Sequence, residues 1–480
     1  MNQKIVFNIT GKILQALSGI MILPMIVSLI YKESCILAFF IAALLSLAAG
    51  SLLCFFTRNH KNDVYAKEGF LIVSLAWISA SLVGCLPFII SGEIPNFFDA
   101  FFETVSGFTT TGASIVSDVE SMSHGILFWR SFTHWIGGMG VLVFMLAFIS
   151  NLSDRAIHIM RAEMPGPVVG KIVPRVKDTS KVLYIMYIVL TLLEIIFLAC
   201  GEMDLFESIV HSLGTAGTGG FGIKGDSIGS YSAYSQWVIT AFMLIFGINF
   251  NLYYLLTIRR FKAVFRSTEL WVFFGIFITA TLIIFFDNAS SFPSVADAFR
   301  HSAFQVSSIV TTTGYSTIDF NAWQGISRSV VFILLFTGAC AGSTAGGLKL
   351  SRVIIMFKMA VREIKRMVHP RSVAMVKFEG KDVDVRTCHS ITMYFSLYMI
   401  FIFATFFIIS FEPFDFETNF TAAVTCFNNV GPGLGKIIGP AGSFAGYSDF
   451  SKFILSFAML FGRLEIFPLL IAFIPSTWRK

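Results

Sequence analysis

Four short strings in this chain are built to do the same chemistry. They are Phe108-Thr109-Thr110-Thr111-Gly112-Ala113, Thr215-Ala216-Gly217-Thr218-Gly219-Gly220, Val310-Thr311-Thr312-Thr313-Gly314-Tyr315 and Phe427-Asn428-Asn429-Val430-Gly431-Pro432. Aligned on Gly112, Gly219, Gly314 and Gly431, they recur at spacings of 107, 95 and 117 residues. Glycine lets the main chain enter positive φ at a turn, so the extended segment beside it presents successive carbonyls to one side. Carbonyl rings of this kind replace the hydration shell of an alkali cation. The candidate ligands are the peptide oxygens along Thr110-Thr111-Gly112, Gly217-Thr218-Gly219, Thr312-Thr313-Gly314 and Asn429-Val430-Gly431, with the threonine and valine side chains turned into packing. One such string reads as a loop cap. Four in register, two of them TTTG, point to a shared axis.

The surrounding elements must carry these turns into a membrane. Of 480 residues, 55% are hydrophobic and 13% charged, with a mean hydropathy of +0.76. A soluble domain carries about 25% charge, so an ordinary globule, a disordered chain and a coiled coil are excluded. Ten apolar segments are expected to span, at 9–30, 35–57, 69–91, 126–150, 182–200, 235–258, 270–287, 328–360, 390–411 and 451–475. Between them lie four segments too short to cross, ending at the glycine strings. They open with Pro95-Asn96 and Asp99, Asp204 and Glu207, Pro293-Ser294 and Asp297, and Pro413 with Asp415 and Glu417. Proline and acids suit a helix start, which predicts short helices aiming their partly negative C-termini into the membrane. Asp99, Glu103, Glu207 and Glu417 read either as helix caps or as charges that draw cations to the mouth.

The resulting fold class is an all-α membrane protein: four span–pore helix–span repeats with pseudo-fourfold symmetry plus two extra N-terminal transmembrane helices. Expected bounds are 1–67 for the extra pair, then 68–180, 181–268, 269–388 and 389–480 for the repeats. Of 35 Lys and Arg residues, 27 fall in segments on one face of this arrangement, including 349–386. The positive-inside rule makes that face, and both termini, cytoplasmic. Each basic segment abuts a span, which argues against nucleic acid as a partner. The seven cysteines form no CxxC pair and read as core or lipid-facing thiols.

Two features interrupt the spans. Ten consecutive small residues, Gly338-Ala339-Cys340-Ala341-Gly342-Ser343-Thr344-Ala345-Gly346-Gly347, precede Leu348-Lys349. Four glycines at about 1 kcal/mol each disfavour continuous helix. The stretch either permits close helix packing or unwinds into a loop that blocks a pore beneath the turns. Gly338, Gly342, Ser343, Thr344, Gly346 and Gly347 are its candidate gate residues, and Lys349 is either a positive plug or the cytoplasmic edge. The second feature is Arg463, inside an apolar span. A charge there costs at least about 2.5–3.5 kcal/mol, so Arg463 reads as pore-lining, the alternative being an interhelical ion pair to Glu194.

The GxGxxG match at Gly217–Gly222 lacks a βαβ setting, the Gly342–Gly347 spacing lacks the Walker lysine, and no HExxH or clustered histidine set occurs. No catalytic cluster is evident, and the chain reads as a transporter, not an enzyme. A secondary symporter with broken helices is the rival, with Glu194, Glu465 and His134 as its coupling candidates.

The TTTG, GTGG, TTTG and NVGP turns resemble those of the Trk/Ktr/HKT superfamily of potassium transporters. The two extra N-terminal spans, the string Trp129-Arg130-Ser131-Phe132-Thr133-His134-Trp135-Ile136-Gly137-Gly138 and Gly462-Arg463-Leu464-Glu465 place the resemblance nearest its Trk members. The resemblance implies that potassium is the transported ion and that the filter passes through Gly112, Gly219, Gly314 and Gly431. It also implies that 338–347 is an intramembrane gate. It further implies a homodimer in a bacterial inner membrane, working with a cytoplasmic nucleotide-binding (NAD- or ATP-type) regulatory subunit, and no organic cofactor in this chain. The membrane potential would drive uptake.

Overall fold

A computed structural model describes residues 2–59, 65–140, 176–371 and 375–478. Among these, the regular structure is helical apart from one hairpin, Lys377–Phe378 paired with Lys381–Asp382. Six helices are long and apolar enough to cross a membrane: Gln3–Ile30, Ile36–Phe56, Lys67–Ser91, Lys181–Ala199, Thr268–Ser291 and Val385–Ile409. Phe56, Phe286 and Phe407 on these helices are each more than 70% exposed. Leaving such a ring in water forfeits about 1.5–3 kcal/mol, a cost that hydrocarbon removes.

The other expected spans are not continuous. The helices that follow the glycine turns are His124–Gly138, Ala233–Gly247, Gly325–Leu334 and Asp449–Arg463. The longest has 15 residues, about 22 Å at 1.5 Å per residue, against roughly 30 Å of hydrocarbon. After Gly247 the chain bends by 89° into Phe250–Thr257, capped by Asn249. After Arg463 it turns through two residues with positive φ, Glu465 and Ile466, before Phe467–Phe473. The expected span 328–360 divides into Gly325–Leu334, an irregular stretch, and Leu350–Val368. The part of 126–150 beyond residue 140 lies outside the described residues. Five of the six full-length helices leave most of their residues at the surface, Lys67–Ser91 is mostly buried, and the half-length helices stop short of a full crossing.

The four short helices form where expected, at Phe97–Phe108, Leu205–Gly217, Val295–Val310 and Phe416–Asn428. Their N-caps are Asn96, Asp204, Ser294 and Asp415. Asp204 and Glu207 form a reciprocal capping box, with the Glu207 N–H donating to Asp204 Oδ1 at 2.7 Å and the Asp204 N–H to Glu207 Oε2 at 3.3 Å.

The two extra N-terminal spans pack tightly because Gly11 and Gly50 face each other. A Cβ on Gly11 would lie 2.8 Å from the Gly50 carbonyl oxygen, and one on Gly50 would lie 2.6 Å from that of Gly11. The pair is pinned to the first repeat by Glu33, which accepts from the N–H groups of His124 (2.7 Å) and Gly125 (3.0 Å), capping His124–Gly138 from outside. Burial alone would raise the Glu33 carboxyl, but these N–H bonds and the His124 ring hold it below its ordinary value. A depressed carboxylate contributes stability above the ordinary glutamate pKa of about 4.3. That contribution is lost as pH falls through the lower folded value. Glu33→Ala is expected to cost about 1–2 kcal/mol, read as a lower Tm of the purified protein at pH 7, with the difference from wild type shrinking at acid pH.

Candidate functional site

Each pore helix ends in the same backbone device. Thr110, Thr218, Thr312 and Asn429 are left-handed, with φ of +56°, +56°, +57° and +55°. The next N–H reaches back five residues in every case: Thr111 to the Ser106 oxygen (2.9 Å), Gly219 to Gly214 (2.9 Å), Thr313 to Ser308 (2.8 Å) and Val430 to Thr425 (3.0 Å). The residue after that is a glycine at positive φ: Gly112 (+77°), Gly220 (+81°), Gly314 (+85°) and Gly431 (+92°).

This corrects the expected register of the second repeat. The equivalent of Gly112 is Gly220, not Gly219. Gly217 is the last residue of its helix, Gly219 occupies the place of Thr111, and the matching triplet is Thr218-Gly219-Gly220. The signal was present in the sequence as Thr218, the polar left-handed residue that matches Thr110, Thr312 and Asn429.

The four turns interlock in a ring. A Cβ on Gly112 would fall on the Gly219 carbonyl oxygen, one on Gly220 on that of Thr313, one on Gly314 on that of Val430, and one on Gly431 on that of Thr111. Repeat one thus abuts two, two abuts three, three abuts four, and four returns to one. Absence of a side chain at each glycine is what allows this closure. A cavity is lined by the same four glycines, with Arg130 and Lys224 at its wall.

The turns are held from behind. Thr111 and Thr313 hydroxyls pair with those of Thr109 and Thr311, each at 2.8 Å. Asn429 Nδ2 donates to Thr111 Oγ1 and to the Met459 carbonyl, each at 3.0 Å. His134 donates through Nδ1 to the Gly107 carbonyl at 2.8 Å and accepts at Nε2 from the Phe221 N–H at 3.3 Å. Both ring nitrogens are committed to one neutral tautomer, a positioning arrangement rather than a proton relay. The Tyr315 hydroxyl reaches the His211 and Phe221 carbonyls at 3.3 Å, tying the third turn to the second.

The acidic residues near the mouth are all partnered. Asp99 pairs with Lys452 (2.5 Å), Glu103 with Arg130 (2.8 Å), Glu207 with Lys224 (3.6 Å) and Glu417 with Arg328 (2.5 Å). Arg130 and Glu103 are 3% and 1% exposed, so this pair is a buried brace. These pairs tie neighbouring helices together.

Beneath the ring, residues 335–349 form no helix and lie among hydrogen bonds from every side. The Gly346 N–H donates to Thr312 Oγ1 at 2.7 Å, directly under the third turn. The Ala341 N–H donates to Glu269 Oε1 at 2.8 Å, and the Gly342 carbonyl accepts from the Phe250 N–H at 3.0 Å. Glu269, at the N-terminal start of its span, was not legible as a loop anchor. Its own helix is capped by Glu379 of the hairpin, which accepts from Ser267 Oγ and from the Glu269 N–H.

Arg463 joins the loop to the first repeat. Its guanidinium donates to the Thr344 carbonyl at 2.8 Å and to those of Gly137 (2.5 Å) and Gly138 (2.8 Å). Lys349 is 2% exposed and its ammonium caps the Ala345 carbonyl. A second cavity is lined by Gly342, Ser343, Gly346, Gly347, Lys349 and Arg463. The loop and Arg463 thus form part of this cavity's wall, and the glycine ring lines the other. Among the described residues, no group of three or more His, Cys, Asp or Glu side chains that could hold a metal ion occurs.

Residues 36–480 match the family model described as TrkH, cation transport protein. The chain is 38% identical to the Trk system potassium uptake protein TrkH of Escherichia coli K12, over the full length of both chains. It is 34% identical to the TrkG protein of the same strain, over 99% of each. The crystal structure of the potassium transporter TrkH from Vibrio parahaemolyticus superposes with a TM-score of 0.89 at 32% identity, covering both chains completely.

Proposed function

The chain belongs to the TrkH family of cation transport proteins, and from that premise we propose that it is the potassium-translocating membrane subunit of a Trk-type uptake system. Potassium sheds its water at the peptide oxygens of the four turns, in register through Thr111, Gly219, Thr313 and Val430. It then passes the loop at 338–347 and the Arg463 guanidinium into the second cavity. The observation that carries this reading is the closed ring in which each repeat's glycine abuts the next repeat's carbonyl. Such a ring sets carbonyl spacing by main-chain packing, which is what discrimination between ions of one charge and different size requires.

The driving force is the membrane potential, about 2.3 kcal/mol per charge for each 100 mV. Both termini and the basic segment 349–386 lie on the cytoplasmic side, where a nucleotide-binding regulatory subunit docks on a homodimer. The repeats divide near 68, 181, 269 and 389. Against ion-coupled symport stand His134, whose two nitrogens are committed to main-chain groups, and Glu465, which is paired with Arg352.

The test is the reversal potential of the purified protein in liposomes under separate gradients of potassium, sodium and protons. A potential that follows potassium alone is expected. Dependence on a proton or sodium gradient would replace this reading with the symporter.

A further inference from the structure

The fourth repeat carries a strained turn that the transport reading does not use. Ile466 has φ +65° and ψ −59°, and the Phe467 N–H closes back on the Glu465 carbonyl at 2.7 Å. This is a γ-turn of the positive-φ kind, rare and strained, here on a fully buried β-branched residue. Glu465 before it is also left-handed, at +57°. Two consecutive non-glycine residues in that region persist only where their surroundings hold them.

Packed beside them is a partly buried ion pair. Arg352 donates to both oxygens of the Glu465 carboxylate, through Nη1 at 2.9 Å and through Nη2. Its guanidinium also stacks 4.0 Å over the Tyr394 ring. Arg352 lies on Leu350–Val368, the helix that continues directly from the loop at 338–347. Glu465 lies two residues after Arg463, whose guanidinium holds the loop's Thr344 carbonyl. The strained turn therefore lies between two grips, one on the loop and one on the helix that leaves it.

We propose that the Arg352–Glu465 pair is the latch of the gate: it keeps the turn at Glu465–Ile466 strained and Arg463 seated on Thr344. Release of the pair lets the turn relax, which swings the end of Asp449–Arg463 and withdraws Arg463 from the loop. Arg352, Glu465 and Ile466 are positioning residues, and the inference rests on the reading of 338–347 as a gate.

Potassium flux into liposomes, normalised to folded protein, tests this. Glu465→Gln and Arg352→Gln are each expected to raise basal flux on the order of tenfold, the ratio matching one lost charge-assisted hydrogen bond. Combining Arg352→Glu with Glu465→Arg is expected to bring flux back toward wild type, which a loss of packing would not do. Ile466→Gly tolerates the turn without strain and is expected to lower flux. Folded Glu465→Gln or Arg352→Gln protein with unchanged or reduced flux, a reversed pair that fails to restore it, or raised flux in Ile466→Gly overturns the latch. Shortening the loop in parallel separates the two readings. If shortening raises flux while Glu465→Gln does not, the latch alone is wrong. If neither raises it, the gate reading falls with it.

Discussion

Serine in place of Gly220 is expected to cost the protein most of its discrimination between potassium and sodium. Gly220 sits at φ +81°, and a Cβ there would fall on the Thr313 carbonyl oxygen of the neighbouring repeat. Forcing an L-residue into this region costs roughly 1–2 kcal/mol, and the clash can be relieved only by moving that oxygen. If the displacement is borne by the carbonyl cage, 1.4 kcal/mol per decade makes the permeability ratio fall about five- to thirtyfold. Gly112→Ser and Gly314→Ser should act alike, because each presses on the corresponding oxygen of the next repeat. Gly275→Ser is the control: it lies on the exterior of a spanning helix with open space at its Cβ, and its ratio should not change. The measurement is the reversal potential with potassium on one side and sodium on the other. Unchanged ratios in both Gly112→Ser and Gly220→Ser would remove the glycine ring from the filter.

That Gly220 rather than Gly219 carries this prediction marks a limit of reading local patterns. Capping and positive φ are local, so the N-caps Asn96, Asp204 and Ser294 and the glycine turns of repeats one, three and four were legible. In the second repeat three glycines compete, at 217, 219 and 220. The choice is made by three-dimensional neighbours: the His134 ring occupies the space beside Gly219, and the Thr313 carbonyl that beside Gly220. The half-length helices were hidden for the same reason. In 235–258 only Gly247, Asn249 and Asn251 interrupt the apolar run near the bend, too few to show a break by composition, and the bend after Gly247 is fixed by the Asn249 cap together with distant main-chain bonds, Cys340 N–H to the Gly247 oxygen and Phe250 N–H to that of Gly342. The outer acids were legible as helix starts, but their basic partners were not. Lys452, which neutralises Asp99, comes from the other end of the chain.

The same distant bonds favour the proposed gate over a packing seam for the stretch of small residues. A seam of glycine and alanine needs an intact helix to present it, whereas 335–349 has none and is fixed instead by side chains from three other segments: Glu269, Thr312 and Arg463. Removing Ser343, Thr344 and Ala345 is therefore expected to raise basal potassium flux by about tenfold or more. The deletion takes away the Thr344 carbonyl that Arg463 grips, the Thr344 hydroxyl bond to the Phe246 carbonyl, and the Ala345 carbonyl that Lys349 caps. Charge-assisted bonds contribute roughly 1.5–3 kcal/mol each, so losing even one shifts the blocked-to-open ratio by about a decade. The glycine ring is left whole, and the permeability ratio between potassium and sodium should stay at its wild-type value while flux rises. The two readings diverge in sign. If the stretch only packed helices together, the deletion would lower the yield of folded protein and leave flux per folded molecule equal or reduced. A folded variant with raised flux and unaltered selectivity instead places the block below the filter and separate from it.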